Sequence, residues 1–376
     1  MEKAVVKKLF PFLAIVTAYA NASAAIQVPV SFIEALSPKD TTSSERFKNE
    51  YQNAVQLGLD YNKVKLKQCG YEVIPDFIFF DASDEVQSFE KAKLAEGSGK
   101  WMIVGPRRSQ QYLVLAKGAP TTPSVSTMAS SSEVFELGAL HLTMAPSNQA
   151  MAKVAALAAK ERVKKKNLTY FSVVNSDCVT CRDFSEHFDL AVKSISLKKS
   201  GELAVTGDDP DLGDLLLRLK TIKPDIILLP NYSKPSAQIM FKLKGLTPAP
   251  VFVGGDGWGD SKFGFVEIGL TPDQAQGITV RGFPPVENGL KTFSVGNSIL
   301  KDKAKIQNFP GSGSAQALIK ITSDLTELLC QKRPKDRDAF AKAFKNKPYF
   351  SPSWGVSLYR LEKGEIIFEQ IRKGRR

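Results

Sequence analysis

Short apolar, β-branched runs alternate with longer amphipathic stretches, and this alternation, which occurs twice along the chain, constrains the fold more than any other feature. Residues 26–33 read as a strand. Residues 44–68 then carry Phe47, Tyr51, Ala54, Val55 and Gly58 at helical spacing, with Ser43 or Ser44 as a cap and Gly70 as a stop. A strand over 73–80, an amphipathic stretch over 86–94, a strand over 101–105 and extended segments at 124–127 and 137–143 complete a first series. The second series runs through a helix at 151–165, a strand at 168–174, and a helix marked by Phe184, His187, Phe188, Ala191 and Ile195. A short strand at 203–206, a helix at 212–222, a strand at 225–229, a helix near 237–244 and a strand at 251–253 follow. Strands alternating with helices predict parallel sheets covered on both faces, so two series predict two α/β lobes.

The last third departs from this rhythm. A strand at 278–283 leads through Pro284 and Pro285 to helices near 290–300, 315–330 and 336–345, then to strands near 356–361 and 366–371. That is too little chain for a third core, so the segment is expected to return to the first lobe and finish in the second. The expected organisation is a leader over 1–24, one lobe from 25–146 plus 284–362, and another from 147–283 plus 363–376. Three crossings between the lobes would form a hinge.

The leader is read from the order of residues 1–25. Lys3, Lys7 and Lys8 precede an apolar run over 9–20, and small residues with two overlapping A-x-A sites follow. This is the order of a cleaved secretory signal, and the run is short of the roughly 20 residues that a membrane span needs. The first cysteine is Cys69, far from the cleavage zone, so no lipid attachment is indicated. A periplasmic or secreted location is expected.

With 43% hydrophobic and 24% charged residues, the chain has the composition of a globular protein and not of a disordered one. The net charge of +12 raises nucleic acid as a partner, but the lysines are dispersed and no aromatic residues interleave with them. Solvated helix faces account for that charge, and no nucleic-acid partner is expected.

Catalytic signals are few. Of the two histidines, His187 shares a helical face with Phe184 and Phe188, and His141 sits on a strand. Neither has metal-ligand spacing to a partner, and no phosphate-loop, dinucleotide or nucleophile-elbow motif is present. No enzyme activity, cofactor or metal is expected. The sharpest local feature is Cys178-Val179-Thr180-Cys181, between a strand and a helix. A thiol-disulfide enzyme is one reading, and a structural disulfide in an oxidising compartment is the preferred one. Four cysteines allow three connectivities; pairing Cys178 with Cys181 leaves Cys69 with Cys330 across two helix ends.

Open α/β sheets bind ligands at the carboxyl ends of their strands. In the first lobe those ends carry 105–109, with Arg107, Arg108 and Ser109, and the serine-rich run 126–132. In the second they carry 175–181, Asn231-Tyr232 and Gly254-Gly255-Asp256-Gly257-Trp258. Hydroxyls and N–H groups facing a phenol, a carboxylate and an indole suit a zwitterion.

At these residues the chain resembles the type I periplasmic solute-binding proteins of the branched-chain amino-acid transporter group. The resemblance runs over roughly 26–371 and rests on 79–84, Val104-Gly105 with Ser109, 125–133, 223–232 and 254–258. It implies two Rossmann-like lobes that close by hinge motion on a small solute and present it to a membrane ABC permease. By position, Ser109, the Met128 backbone and Ser130 would hold an α-carboxylate. Tyr232 and Asp256 would hold the ammonium group, and Thr180 would line the wall. Ser147 aligns where amino-acid binders place a second acidic residue, and Arg107 and Arg108 add positive charge, so a dicarboxylate competes with an aliphatic amino acid. The protein is expected to act as a monomer. A degenerate binding protein that signals to a receptor, and a thiol-disulfide enzyme, are the competing functions.

Overall fold

A computed structural model describes residues 24–36, 41–207, 211–213, 215–258, 276–309, 311–345, 349–351, 354–362 and 365–372. The expected leader and its cleavage sites lie outside the described residues. No helix among the described residues is long and apolar enough to cross a membrane.

The chain opens with β1 (Ile26–Leu36), α1 (Thr41–Cys69), β2 (Tyr71–Asp81), α2 (Glu85–Gly97), β3 (Met102–Val104), α3 (Ser109–Gly118), β4 (Ser124–Ser126), α4 (Ser132–Glu136) and β5 (His141–Thr143). These strands form one parallel sheet in the order β2-β1-β3-β4-β5. The order reverses between β1 and β3, and at such a point the loops diverge and leave a crevice. Val28, Val30 and Phe32 alternate on one face of β1 against the α1 residues Tyr51, Ala54 and Val55, while Ile33 and Ala35 pack on the other face with Tyr112 of α3.

The second series comprises α5 (Asn148–Val163), β6 (Leu168–Asn175), α6 (Val179–Lys193), β7 (Leu197–Val205), α7 (Leu215–Ile222), β8 (Ile226–Leu229), α8 (Ser233–Lys242), β9 (Val251–Gly254) and β10 (Gly277–Arg281). The remainder is α9 (Val286–Leu290), α10 (Ser294–Lys301), α11 (Gly313–Lys332), α12 (Arg337–Lys345), β11 (Val356–Glu362) and β12 (Glu365–Arg372). The second sheet has the order β12-β11-β10-β9-β8-β6-β7. It is parallel except for β11 and β12, which add antiparallel to β10 and to each other.

Residues after β10 return to the first lobe: Phe283, Leu290, Ile299, the apolar face of α11 and Trp354 share the core of Val28, Val30 and Phe32. Gly58 makes the α1–α11 contact possible, since a Cβ there would stand 2.0 Å from the Thr322 hydroxyl. Cys69 at the end of α1 and Cys330 near the end of α11 are joined by a disulfide.

The three crossings fall near Pro146, Gly282 and Gly355. A Cβ on Gly282 would lie 2.7 Å from the Pro146 ring, so two crossings are in direct contact, and Gly355 takes a φ of +75° that side chains disfavour. The last crossing comes earlier than the sequence suggested. Residues 356–362, expected in the first lobe, belong to the second sheet, because β11 pairs with β10 from Gly277↔Leu361 to Arg281↔Ser357.

Local departures have physical causes. Helix α3 begins at Ser109, where the sequence reading ended a loop. Strand β7 starts at Leu197 and not 203: Lys198 and Lys199 on this edge strand mask its alternation, as edge strands commonly do. The strand expected at 137–143 is reduced to His141–Thr143, because the residues before it turn at Gly138, whose φ is +88° and whose carbonyl accepts the His141 N–H at 3.2 Å.

Candidate functional site

The carboxyl ends of both sheets open onto one cleft of about 1370 Å³, above the roughly 300–1,000 Å³ of ordinary small-molecule sites. Arg108, Ser109, Met128, Ser130, Thr180, Tyr232 and Asp256 all line it.

The first-lobe wall is built by a turn at the end of β3. Gly105 has a φ of +96°, and a Cβ there would stand 2.0 Å from the Ile33 carbonyl oxygen, so the turn requires glycine. Fully buried Glu34 accepts the Arg107 main-chain N–H at 3.1 Å and that of Ala35 at 2.9 Å. Burial raises the Glu34 carboxyl above its ordinary range, and the Arg107 charge opposes that rise. Ser126 ties the next loop to this one, donating to the Pro106 carbonyl at 2.6 Å and accepting from the Ala129 N–H at 3.0 Å.

Ser109 stands at the centre of the wall as the first residue of α3. Its buried hydroxyl oxygen accepts the main-chain N–H groups of Ser130 and Ser131, each at 3.1 Å, and the hydroxyl of Thr180 from the other lobe at 3.2 Å. Met128 presents its sulfur to the Ser314 hydroxyl at 2.9 Å.

The second-lobe wall brings a carboxylate. Asp256, just beyond β9, accepts the Ser130 hydroxyl at 3.0 Å across the cleft. Burial pushes its pKa up to about 6, against the Ser130 hydrogen bond and the charge of Arg281, while nearby Asp183 adds to the rise. Tyr232, the N-cap of α8, lies under the Arg108 guanidinium at 5.9 Å. The Cys178–Cys181 disulfide opens α6, and Thr180 between the two cysteines offers its carbonyl to the Asn148 amide at 3.2 Å.

A second cross-lobe cluster lies beside the cleft. The Asp183 carboxylate accepts the Ser132 N–H at 3.1 Å, the Ser132 hydroxyl at 2.6 Å and the Asn148 amide at 2.8 Å. His187 Nε2 sits 2.5 Å from the Ser132 hydroxyl oxygen, so this histidine meets the other lobe as well as its own core neighbours.

Two sequence-based placements change. Ser147 does not line the cleft; it caps α5, accepting the Ala150 N–H at 3.2 Å. The Trp258 indole is fully buried in the second-lobe core, donating to the Leu229 carbonyl at 3.1 Å and the Ser236 hydroxyl at 2.9 Å. A ring flanked by glycines and an aspartate reads as a ligand contact, yet here Gly254 is small in order to admit it: a Cβ would stand 2.2 Å from the indole.

Sequence reasoning missed Arg46, Phe47 and Glu50 of α1, and Arg281, Phe283 and Tyr359 near the crossings. The spacing of 46, 47 and 50 shows a shared helical face but not that the face borders a cleft. Arg281 and Tyr359 meet only through the β10–β11 pairing, with the guanidinium 4.7 Å from the ring. Among the described residues, no group of three or more His, Cys, Asp or Glu side chains is arranged to hold a metal ion.

Two α/β lobes joined by three crossings around a solute-sized cleft define the type I periplasmic binding protein fold. Solved structures share it. A leucine-binding protein from Thermotoga maritima matches with a TM-score of 0.73 and 15% identity over 92% of this chain and 99% of its own. A branched-chain amino-acid transporter substrate-binding protein from Streptococcus pneumoniae, in complex with isoleucine, matches at 0.66 and 16% over 91% and 100%. An ABC-transporter solute-binding protein from Rhodopseudomonas palustris, in complex with 3,4-dihydroxybenzoic acid, matches at 0.66 and 15% over 93% and 98%. No protein-family model and no curated protein matches the sequence.

Proposed function

We propose that this protein is an extracytoplasmic solute-binding protein that captures an amino acid or small carboxylate between its lobes and delivers it to an ABC permease. The observation that carries the reading is the meeting of Ser109 and Ser130 with Thr180 and Asp256 across the cleft. Hydroxyls and loop N–H groups suit a carboxylate, and Asp256 with Tyr232 suits a cationic group. Because each lobe supplies half of these groups, a bound solute stabilises the closed arrangement over the open one by its differential contacts. The signal-like order of residues 1–25 supports export, and the paired cysteines fit an oxidising compartment. The role is binding, not catalysis.

Mass spectrometry of the small molecules released when the purified protein is denatured tests this. A single amino acid or carboxylate near one equivalent is expected. Absence of any such molecule, together with no thermal stabilisation by either class of solute, defeats the proposal.

A further inference from the structure

Four arginines line the cleft, Arg46, Arg107, Arg108 and Arg281, against two carboxylates, Glu50 and Asp256. Both carboxylates are engaged. Glu50 accepts the Gly311 and Ser312 main-chain N–H groups at 2.7 and 2.8 Å, which fixes the start of α11 beside α1. Asp256 accepts the Ser130 hydroxyl. Among the described residues, neither lies within ion-pair distance of an arginine.

Among the described residues, Arg46, Arg107 and Arg108 form no salt bridge. The Arg107 guanidinium lies 3.9 Å from the Phe47 ring, and that of Arg108 lies over Tyr232. Both are placed by aromatic faces, which orient a guanidinium without neutralising it. Glu34, whose carboxylate feels the Arg107 and Arg108 charges, is fully buried and does not line the cleft. Arg46 and Arg108 are exposed and Arg107 half-buried where the lobes meet, so their charge stands at the cleft mouth, and its potential favours an anionic solute. A zwitterion with one carboxylate has no net charge and leaves the excess in place. A solute with two carboxylates matches one with the Ser109 and Ser130 groups and the other with a guanidinium, which binds carboxylate in a two-point fork.

We propose that the solute is a small dicarboxylate, with or without an ammonium group, whose second acidic group is taken by Arg46, Arg107 and Arg108 on the first-lobe lip. The inference rests on the solute-binding reading above and adds to it the charge of the ligand.

Calorimetry of the whole secreted chain, freed of bound solute by unfolding and refolding, tests it with succinate, glutamate, leucine and 4-hydroxybenzoate. Succinate or glutamate is expected to bind about 100-fold more tightly than leucine or 4-hydroxybenzoate, corresponding to one extra charge-assisted contact pair. Arg107→Gln is expected to weaken the diacid by about 10- to 100-fold. Arg46→Gln and Arg108→Gln alter exposed side chains, which keeps the test valid should Arg107→Gln fold poorly; at least one of the two is expected to weaken the diacid several-fold. Tighter binding of leucine or 4-hydroxybenzoate than of either diacid overturns the inference and leaves the solute-binding reading standing. Unchanged diacid affinity in all folded arginine variants does the same. Binding of none of the four, with no solute recovered from the purified protein, overturns both.

Discussion

Asp183 of the second lobe closes the N-terminus of a helix in the first. Its carboxylate takes both the main-chain N–H and the hydroxyl of Ser132, at 3.1 and 2.6 Å. This carboxylate at a helix start, with His187 and Asn148 around it, joins the two lobes beside the cleft as a latch.

Replacing Asp183 by Ala therefore shifts the balance between closed and open lobes by about 2 kcal/mol, the worth of a hydrogen bond to a charged group. Small-angle scattering of the solute-free variant is expected to show a larger radius of gyration than wild type, and stopped-flow binding a faster association. Identical scattering curves would remove the latch from the account of closure.

Asp256 links stability to pH. Its pKa rises from 3.8 to about 6 on folding, so between those values the folded protein holds a proton that the unfolded chain has lost. The contribution of Asp256 to stability consequently falls as pH rises through that window and is level above it. Asp256→Asn removes that contribution and is more stable than wild type at pH 7 by up to about 3 kcal/mol, with the difference closing as pH falls towards 4 and below. Urea unfolding at pH 4, 5 and 7 measures this, and parallel curves for the two proteins would contradict it.

Ser109→Ala removes the acceptor shared by the Ser130 and Ser131 N–H groups and the Thr180 hydroxyl. Affinity for the bound carboxylate is expected to drop by about 1.5 to 3 kcal/mol, with a smaller loss of stability because a solute-free cleft admits water to those donors. Calorimetry with the solute recovered from the protein reads the difference. An unaltered dissociation constant would place the carboxylate elsewhere.

The two disulfides are expected to differ in strength of effect. Cys69–Cys330 spans 261 positions and Cys178–Cys181 spans 3, so restricting the unfolded chain contributes about 5 to 6 kcal/mol for the first and about 2 for the second. Serine pairs at each bridge, compared by denaturant unfolding, are the test; an equal loss at both sites contradicts a chain-restriction origin.

The lobes were legible because β8 is a continuous buried apolar run and β1 and β6, buried along most of their length, are rich in apolar residues with few polar interruptions. The edge strand β7 and the boundary at β11 were not. Lys198 and Lys199 hide the first, and only pairing with β10, more than 70 residues earlier, assigns the second. Within the cleft, Ser109 and Asp256 sit at strand ends where a loop position implies exposure to a ligand. Ser147 also sits at a loop, yet its hydroxyl is consumed by the Ala150 N–H, and whether a serine caps its own helix or faces a solute depends on the backbone angle there. Arg281 stayed hidden because a strand residue shows its face only once its neighbours are known.

The α1–α11 contact has a consequence for how the molecule assembles. Five of the seven strands in the second sheet, β6 to β10, come from the uninterrupted stretch 168–281. The first lobe, although it leads the chain, lacks the cover for Val55, Leu59 and Leu66 until α11 has emerged. Contacts separated by so much sequence are slow to form. The lobe that begins the polypeptide thus keeps its α1 face uncovered until α11 arrives, when five of the seven strands of the other sheet are already made and only β11 and β12 remain to be added.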